Sequence, residues 1–189
     1  MGIYLNSTND KFKIAVNSQI YVDKTELIQI TNGLMATESR FLCVSRPRRF
    51  GKSMAANMLN AYYSKGCDSG EIFAGLKIAN SETYEKYRNQ YDVISVNMQE
   101  FLSRTKDVYE MINRLKKMLT RELVKAYPDA DYFDREDLAQ SMQDAYEVSG
   151  CPFVVIIDEW DCVLREYKKD QEAQRFYLDF LRDIFILHI

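Results

Sequence analysis

Arg46-Pro47-Arg48-Arg49-Phe50-Gly51-Lys52-Ser53 is the stretch on which the reading of this chain turns. It closes on Gly-Lys-Ser, the end of a phosphate-binding loop. Ahead of it lies a short apolar run, Phe41-Leu42-Cys43-Val44. Behind it, Met54, Ala55, Met58, Leu59 and Tyr62 recur at helical spacing. Strand, tight loop and helix are the context a phosphate cradle needs. Loop amides and the open N–H groups of the helix start then converge on one point, where the helix dipole also favours an anion. Lys52 is expected to reach the β- and γ-phosphates and to serve catalysis, and the Ser53 hydroxyl to ligate Mg2+. The nucleotide-binding set read from the stretch is Arg48, Arg49, Phe50, Gly51, Lys52, Ser53 and Met54. Arg46 stands where the general glycine-rich motif has its first glycine. Taken alone, Gly-Lys-Ser also fits an ordinary strand-to-helix turn.

A second motif, Phe153-Val154-Val155-Ile156-Ile157-Asp158-Glu159, weights the reading toward a nucleotide. Five consecutive apolar residues, mostly β-branched, predict a strand buried on both faces, as in the middle of a parallel sheet. The run ends in two carboxylates at the C-terminal edge of the strand, where open α/β sheets bind ligands. Asp158 is placed to hold Mg2+, mostly through water, and Glu159 to orient and deprotonate an attacking water. The competing reading is that both carboxylates only begin a solvated loop.

With 189 residues, 47% hydrophobic and 28% charged, the chain is long enough for one domain with a sizeable core. A net charge of −3 gives no electrostatic case for non-specific nucleic-acid binding. No stretch reaches the roughly 18 apolar residues of a membrane span. Residues 1–10 are polar and lack a signal-peptide core, so a cytoplasmic location is expected. Cys43, Cys67, Cys151 and Cys162 form no Cys-x-x-Cys pair, and the single histidine, His188, rules out zinc-site spacing. Free thiols in a reducing compartment follow, with Cys43 expected to be a small buried hydrophobe.

Along the chain, Ile20-Tyr21-Val22 reads as an extended entry. Asp23-Lys24-Thr25-Glu26 has capping-box spacing for a helix that Asn32-Gly33 ends. The helix after the phosphate loop should stop near Ser64-Lys65-Gly66, with Gly66 as a left-handed cap. A turn at Gly75, a short helix around Tyr84 and Tyr87, and a strand over 92–98 follow. A long amphipathic helix over 106–126 carries Val108, Met111, Ile112, Leu115, Met118, Leu119 and Leu123 as its stripe. Helices over 136–148 and 170–187 complete the set, the latter presenting Phe176, Tyr177, Phe180, Leu181, Ile184 and Phe185. The alternation predicts an α/β fold of the P-loop NTPase type, a parallel sheet with helices on both faces. A carboxylate directly after the metal-binding aspartate favours the additional-strand ATPase division of such proteins.

The combination Tyr21-Val22-Asp23-Lys24-Thr25, then Ser45 through Ser53, then Ile157-Asp158-Glu159-Trp160-Asp161, resembles the bacterial AAA-ATPase-like family. In that family Arg-Pro-Arg-Arg-Phe-Gly-Lys-Ser replaces the glycine-rich loop, so Arg46 fits. The stretch Ile72-Phe73-Ala74-Gly75-Leu76-Lys77-Ile78 is similar to the family's segment after the loop helix. Trp160 stands where the family usually has tyrosine. The resemblance covers about residues 20–185 and implies an ATPase, often fused to a C-terminal PD-(D/E)xK nuclease-like domain. Glu166-Tyr167-Lys168 matches that nuclease's Glu-x-Lys, but the paired strands it needs are not predicted around it, and a solvated surface is the better reading. Arg46, Arg48 and Arg49 either place a charge on the γ-phosphate or pair with acidic neighbours. Related ATPases place adenine-side contacts near Asp23 and Lys24; a helix cap suits Asp23 better, while backbone near Tyr21 and Val22 could line the base.

The sequence therefore predicts residues 1–19 as an N-terminal segment and 20–189 as an ATP- and Mg2+-dependent ATPase-type domain. Lys52 and the loop amides bind phosphate, Ser53 and Asp158 hold the metal, and Glu159 is the base. A non-hydrolysing nucleotide switch and a small-molecule kinase are the alternatives. Only one helix is expected to follow Asp158-Glu159, and the chain closes on an apolar Ile184 to Ile189. An incomplete core, cut after the acidic strand and its helix, is expected, with a slot in the sheet that is open or closed by pairing around Leu42 and Val155. Weak activity as a fragment, self-association and a missing nuclease-like partner domain follow from that expectation.

Overall fold

Two parallel strands end in the polar residues of interest: β1 (Asp92–Asn97) pairs with β2 (Phe153–Asp158). The computed structural model describes residues 2–35, 37–45, 47 and 50–186. Its contacts divide into two compact units. One holds Asn6–Ser95 with Val154–Ile156; the other holds Gly2–Leu5, Val96–Phe153 and residues 157–189.

The first unit contains α1 (Asp10–Val16), α2 (Glu26–Leu34), α3 (Lys52–Tyr63), α4 (Gly70–Phe73), a 3-10 turn (Lys77–Asn80) and α5 (Tyr84–Tyr87). Its core gathers Phe12, Ile28, Met58, Tyr62, Tyr63, Phe73 and Ile78 around Val93 of β1 and Ile156 of β2. The tyrosines can be buried because their hydroxyls are satisfied. Tyr62 donates to the Tyr84 carbonyl at 2.8 Å and Tyr63 to Asn32 Oδ1 at 2.8 Å. Burial pushes the Tyr62 phenol up to about 12. Asn32, expected to end α2, instead lies within it, its side chain buried against these two phenols.

The second unit contains α6 (Met98–Leu102), α7 (Val108–Ala126), α8 (Leu138–Ser149), α9 (Cys162–Glu166) and α10 (Gln171–Ile186). The α7 stripe packs as its spacing requires: Val108, Met111, Ile112, Leu115, Leu119 and Leu123 are buried, and Met118 is half-buried. Asp107 caps α7 by accepting from the Glu110 amide, and Asp137 caps α8 through the amides of Ala139 and Gln140. Glu122 of α7 accepts the amides of Ile3, Tyr4 and Leu5 at 2.8–2.9 Å, tying the start of the chain to this helix. On α10, Tyr177, Phe180, Leu181 and Ile184 are buried. Phe176 and Phe185 lie at the rim, Phe176 against Tyr109 with ring centroids 4.7 Å apart. No helix among the described residues is long and apolar enough to cross a membrane.

Three expectations are corrected. Residues 41–45 form no strand, and Phe41, Leu42, Cys43 and Val44 are exposed. A strand exists through its ladder partner, and among the described residues the sheet is made of β1 and β2, which the apolar run does not join. Cys43 is consequently not a buried hydrophobe. For the same reason β2 is not buried on both faces: Ile156 is buried and the other five residues are half-buried. Third, α3 ends near Ser64 as expected, but its C-cap is the extended Ser64 and Gly66 is not left-handed.

Candidate functional site

Each motif is carried by its own unit. In the first unit, Gly51 occupies the left-handed region at φ 81° and stands as the N-cap of α3. An L side chain is strained there. A Cβ on Gly51 would also lie 3.3 Å from Lys24 Nζ and 3.5 Å from Met54 Cε. Lys52 and Ser53 are the first two residues of α3, Lys52 half-buried and Ser53 exposed. Among the described residues no side chain caps the helix start. The N-terminus of a 12-residue helix is a position where an anion is favoured. Arg46, Arg48 and Arg49 lie outside the described residues.

The Tyr21–Thr25 stretch braces this loop. Lys24 Nζ donates to the Phe50 carbonyl at 3.1 Å. Asp23 Oδ1 accepts the amide and hydroxyl of Thr25 at 2.8 and 2.7 Å, and Asp23 Oδ2 accepts the Lys77 amide at 2.8 Å. Thr25, fully buried, also accepts the Ile78 amide through its hydroxyl. Partial burial works against the Asp23 anion. The two backbone amides and the Thr25 hydroxyl outweigh it and hold the carboxyl below its ordinary value. Asp23 thus fastens the start of α2 to the 3-10 turn, which goes beyond the simple helix cap its spacing suggested.

In the second unit, Asp158 is the last residue of β2 and Asn97 the last of β1. Asn97 Nδ2 donates to Asp158 Oδ2 at 3.2 Å, and the Glu159 amide donates to Asp158 Oδ1 at 3.0 Å. Both bonds leave lone pairs on each carboxylate oxygen, since an ionised carboxylate offers about four acceptor positions. Glu159 is left-handed at φ 53°, an uncommon conformation for a residue with a side chain. Its Oε2 is 2.7 Å from an Arg165 nitrogen. Arg165 also pairs with Asp161 at 2.6 Å and donates to Gln99 Oε1 at 3.1 Å, while Gln99 Nε2 donates to Glu166 at 2.7 Å. The hydrogen bond that Arg165 donates to Glu159 leads the influences that hold the guanidinium above its ordinary value. Glu166, considered for a nuclease motif, is an exposed acceptor in this network, and Lys168 is exposed.

Sequence reasoning missed Asn97, Gln99 and Arg165. The only signal for them was the Asp161-x-x-x-Arg165 spacing of an ion pair along one helical turn. Among the described residues no three His, Cys, Asp or Glu side chains form a metal-binding group. Mg2+ commonly takes one or two protein oxygens and completes its shell with water and phosphate. The Ser53 hydroxyl and the Asp158 carboxylate are both hard oxygen donors of that kind.

Compared with known families, residues 8–188 match the model described as "Predicted AAA-ATPase". No curated protein and no solved structure matches the chain.

Proposed function

The chain belongs to the predicted AAA-ATPase family, which implies nucleotide binding, and we propose that it binds ATP with Mg2+ and hydrolyses it to ADP and phosphate. The observation that carries this is the turn at the start of α3, with left-handed Gly51 as N-cap and Lys52 and Ser53 in its first turn. In this reading the α3 amides, with Phe50, Gly51 and Met54, seat the phosphates, and Lys52 neutralises charge on the β- and γ-oxygens. Arg48 and Arg49 complete the phosphate-binding set. Ser53 and Asp158 would each offer an oxygen to Mg2+, which would supply charge neutralisation at the phosphate oxygens. Asn97 orients the Asp158 carboxylate. Glu159 takes a proton from water, the water oxygen bonds to the γ-phosphorus, and the bridging oxygen leaves on ADP.

Glu159→Gln tests the reaction. It should retain ATP affinity and lose phosphate release by about 10²-fold or more, the usual worth of a general base. Unchanged turnover removes Glu159 from the chemistry. ATP bound tightly without phosphate release by the wild-type chain identifies a nucleotide-dependent binding module instead. Transfer of the phosphoryl group to a small metabolite identifies a kinase.

A further inference from the structure

Gln99 of α6 and Asp161 brace the α9 arginine that meets Glu159, in a way that a surface ion pair does not require. Exposed pairs contribute little and are held loosely. Here the guanidinium of Arg165 is fixed from three directions, by Glu159 Oε2, Asp161 Oδ1 and Gln99 Oε1. Gln99 is itself held by Glu166. Arg165 and Glu159 are both largely withdrawn from solvent, their side chains 27% and 26% exposed. Glu159 leaves the strand in a left-handed conformation that only a few residue types adopt readily. An unanchored glutamate side chain at such a point would spread over several rotamers and lose alignment with a reacting water.

We infer that Arg165 is a positioning residue for the hydrolytic step: its guanidinium, braced by Asp161 and Gln99, fixes the Glu159 carboxylate through Oε2 and presents Oε1 as the proton acceptor. Oε1 accepts no hydrogen bond among the described residues. The planar guanidinium fork imposes direction as well as charge, which an ammonium does not. The inference rests on the proposed ATPase reading, with Glu159 as base. It adds that the base works only when α6 and α9 hold the arginine.

The test is steady-state phosphate release from Mg-ATP, with ATP affinity measured alongside, on the wild-type chain and seven variants. Misalignment of a reacting group by about 1 Å costs up to 10²-fold, so Arg165→Met should lower kcat about tenfold. KM and ATP affinity should stay within about twofold, because no ground-state phosphate contact is lost. Arg165→Lys should recover part of the rate, and Gln99→Ala should show a smaller loss. The double variant Arg165→Met/Glu159→Gln should be no slower than Glu159→Gln, since groups acting as one unit are not additive. Lys168→Met, an exposed charge loss on the same segment, should match wild type. A slow Glu159→Gln beside a wild-type or faster Arg165→Met overturns the inference and leaves the ATPase reading standing. Losses that multiply in the double variant assign Arg165 a purely structural role and overturn it too. A wild-type rate in Glu159→Gln, or no release abolished by Lys52→Ala, overturns the base assignment and this inference together. Should Arg165→Met fail to fold, Arg165→Lys and Gln99→Ala decide the matter by the same criteria.

Discussion

Asn6 Nδ2 donates to Asp92 Oδ1 at 2.6 Å, joining two buried residues 86 positions apart at the start of β1. Asp92 is wholly buried, and Lys65 meets its other oxygen at 2.8 Å. Asn6 also exchanges two backbone-directed bonds with Val93, donating its amide to the carbonyl and accepting the Val93 amide on Oδ1. It does so at φ 50°, a left-handed conformation that asparagine tolerates better than most residues. One short side chain thereby satisfies a buried carboxylate and extends the polar pairing of the strand's first residues.

Asn6→Ala should therefore cost more than a surface substitution. It removes a charge-assisted bond to a buried carboxylate and a partner of the Val93 amide, so a loss of about 3 kcal/mol is expected in urea unfolding. Asn6→Gly should fare no better than about 1 kcal/mol above alanine, because it relieves the left-handed strain but restores neither bond. A loss below about 0.5 kcal/mol would show that this pairing is not what holds the strand entry.

The brace behind the phosphate loop makes a pH prediction. The Asp23 carboxyl is held below its ordinary 3.8 in the folded chain, so the anion is favoured by folding. Its contribution is fully present above the unfolded value of about 3.9 and is lost as pH falls through the lower folded value. The stability difference between wild type and Asp23→Asn should stay constant at near-neutral pH and shrink below about pH 4. A difference that instead grew on acidification would mean that Asp23 prefers its protonated form in the fold.

At the loop itself, Gly51→Ala places a Cβ on a residue at φ 81° and close to Lys24 Nζ. The lysine end can move, whereas the backbone strain of about 1–2 kcal/mol remains. If that strain is relieved by rotating the loop away from the α3 start, ATP affinity falls about tenfold, equivalent to about 1.4 kcal/mol. Isothermal titration with Mg-ATP, with circular dichroism to check folding, reads this directly. Unchanged affinity would show that the left-handed Gly51 is not needed to shape a phosphate cradle.

Features encoded within a few residues were readable in advance. The α7 stripe repeats at helical spacing, and Asp158 and Glu159 close an apolar run, so local pattern is enough. The apolar run at 41–44 shows the limit. Its composition is that of a strand, but pairing is a property of two segments, and these residues are exposed beside no ladder partner among the described residues. Residues 1–19, read as a segment ahead of the domain, contain α1, whose Phe12 stacks on Phe73 at 5.1 Å. Asn6 reaches Asp92, and Arg165 gathers Glu159 and Gln99, by folding rather than by spacing. No periodicity announces such partners, because each is short, polar and single.

The central claim, that the Gly51-Lys52-Ser53 turn at the start of α3 is a nucleotide phosphate site, is tested most directly by calorimetric titration of ATP with Mg2+ into wild type and Lys52→Ala. The account predicts saturable binding by wild type and a Kd raised by about 10²-fold or more in the variant, a loss of about 2.7 kcal/mol. Equal affinity in the two proteins, or no nucleotide binding by the folded wild-type chain, would contradict it.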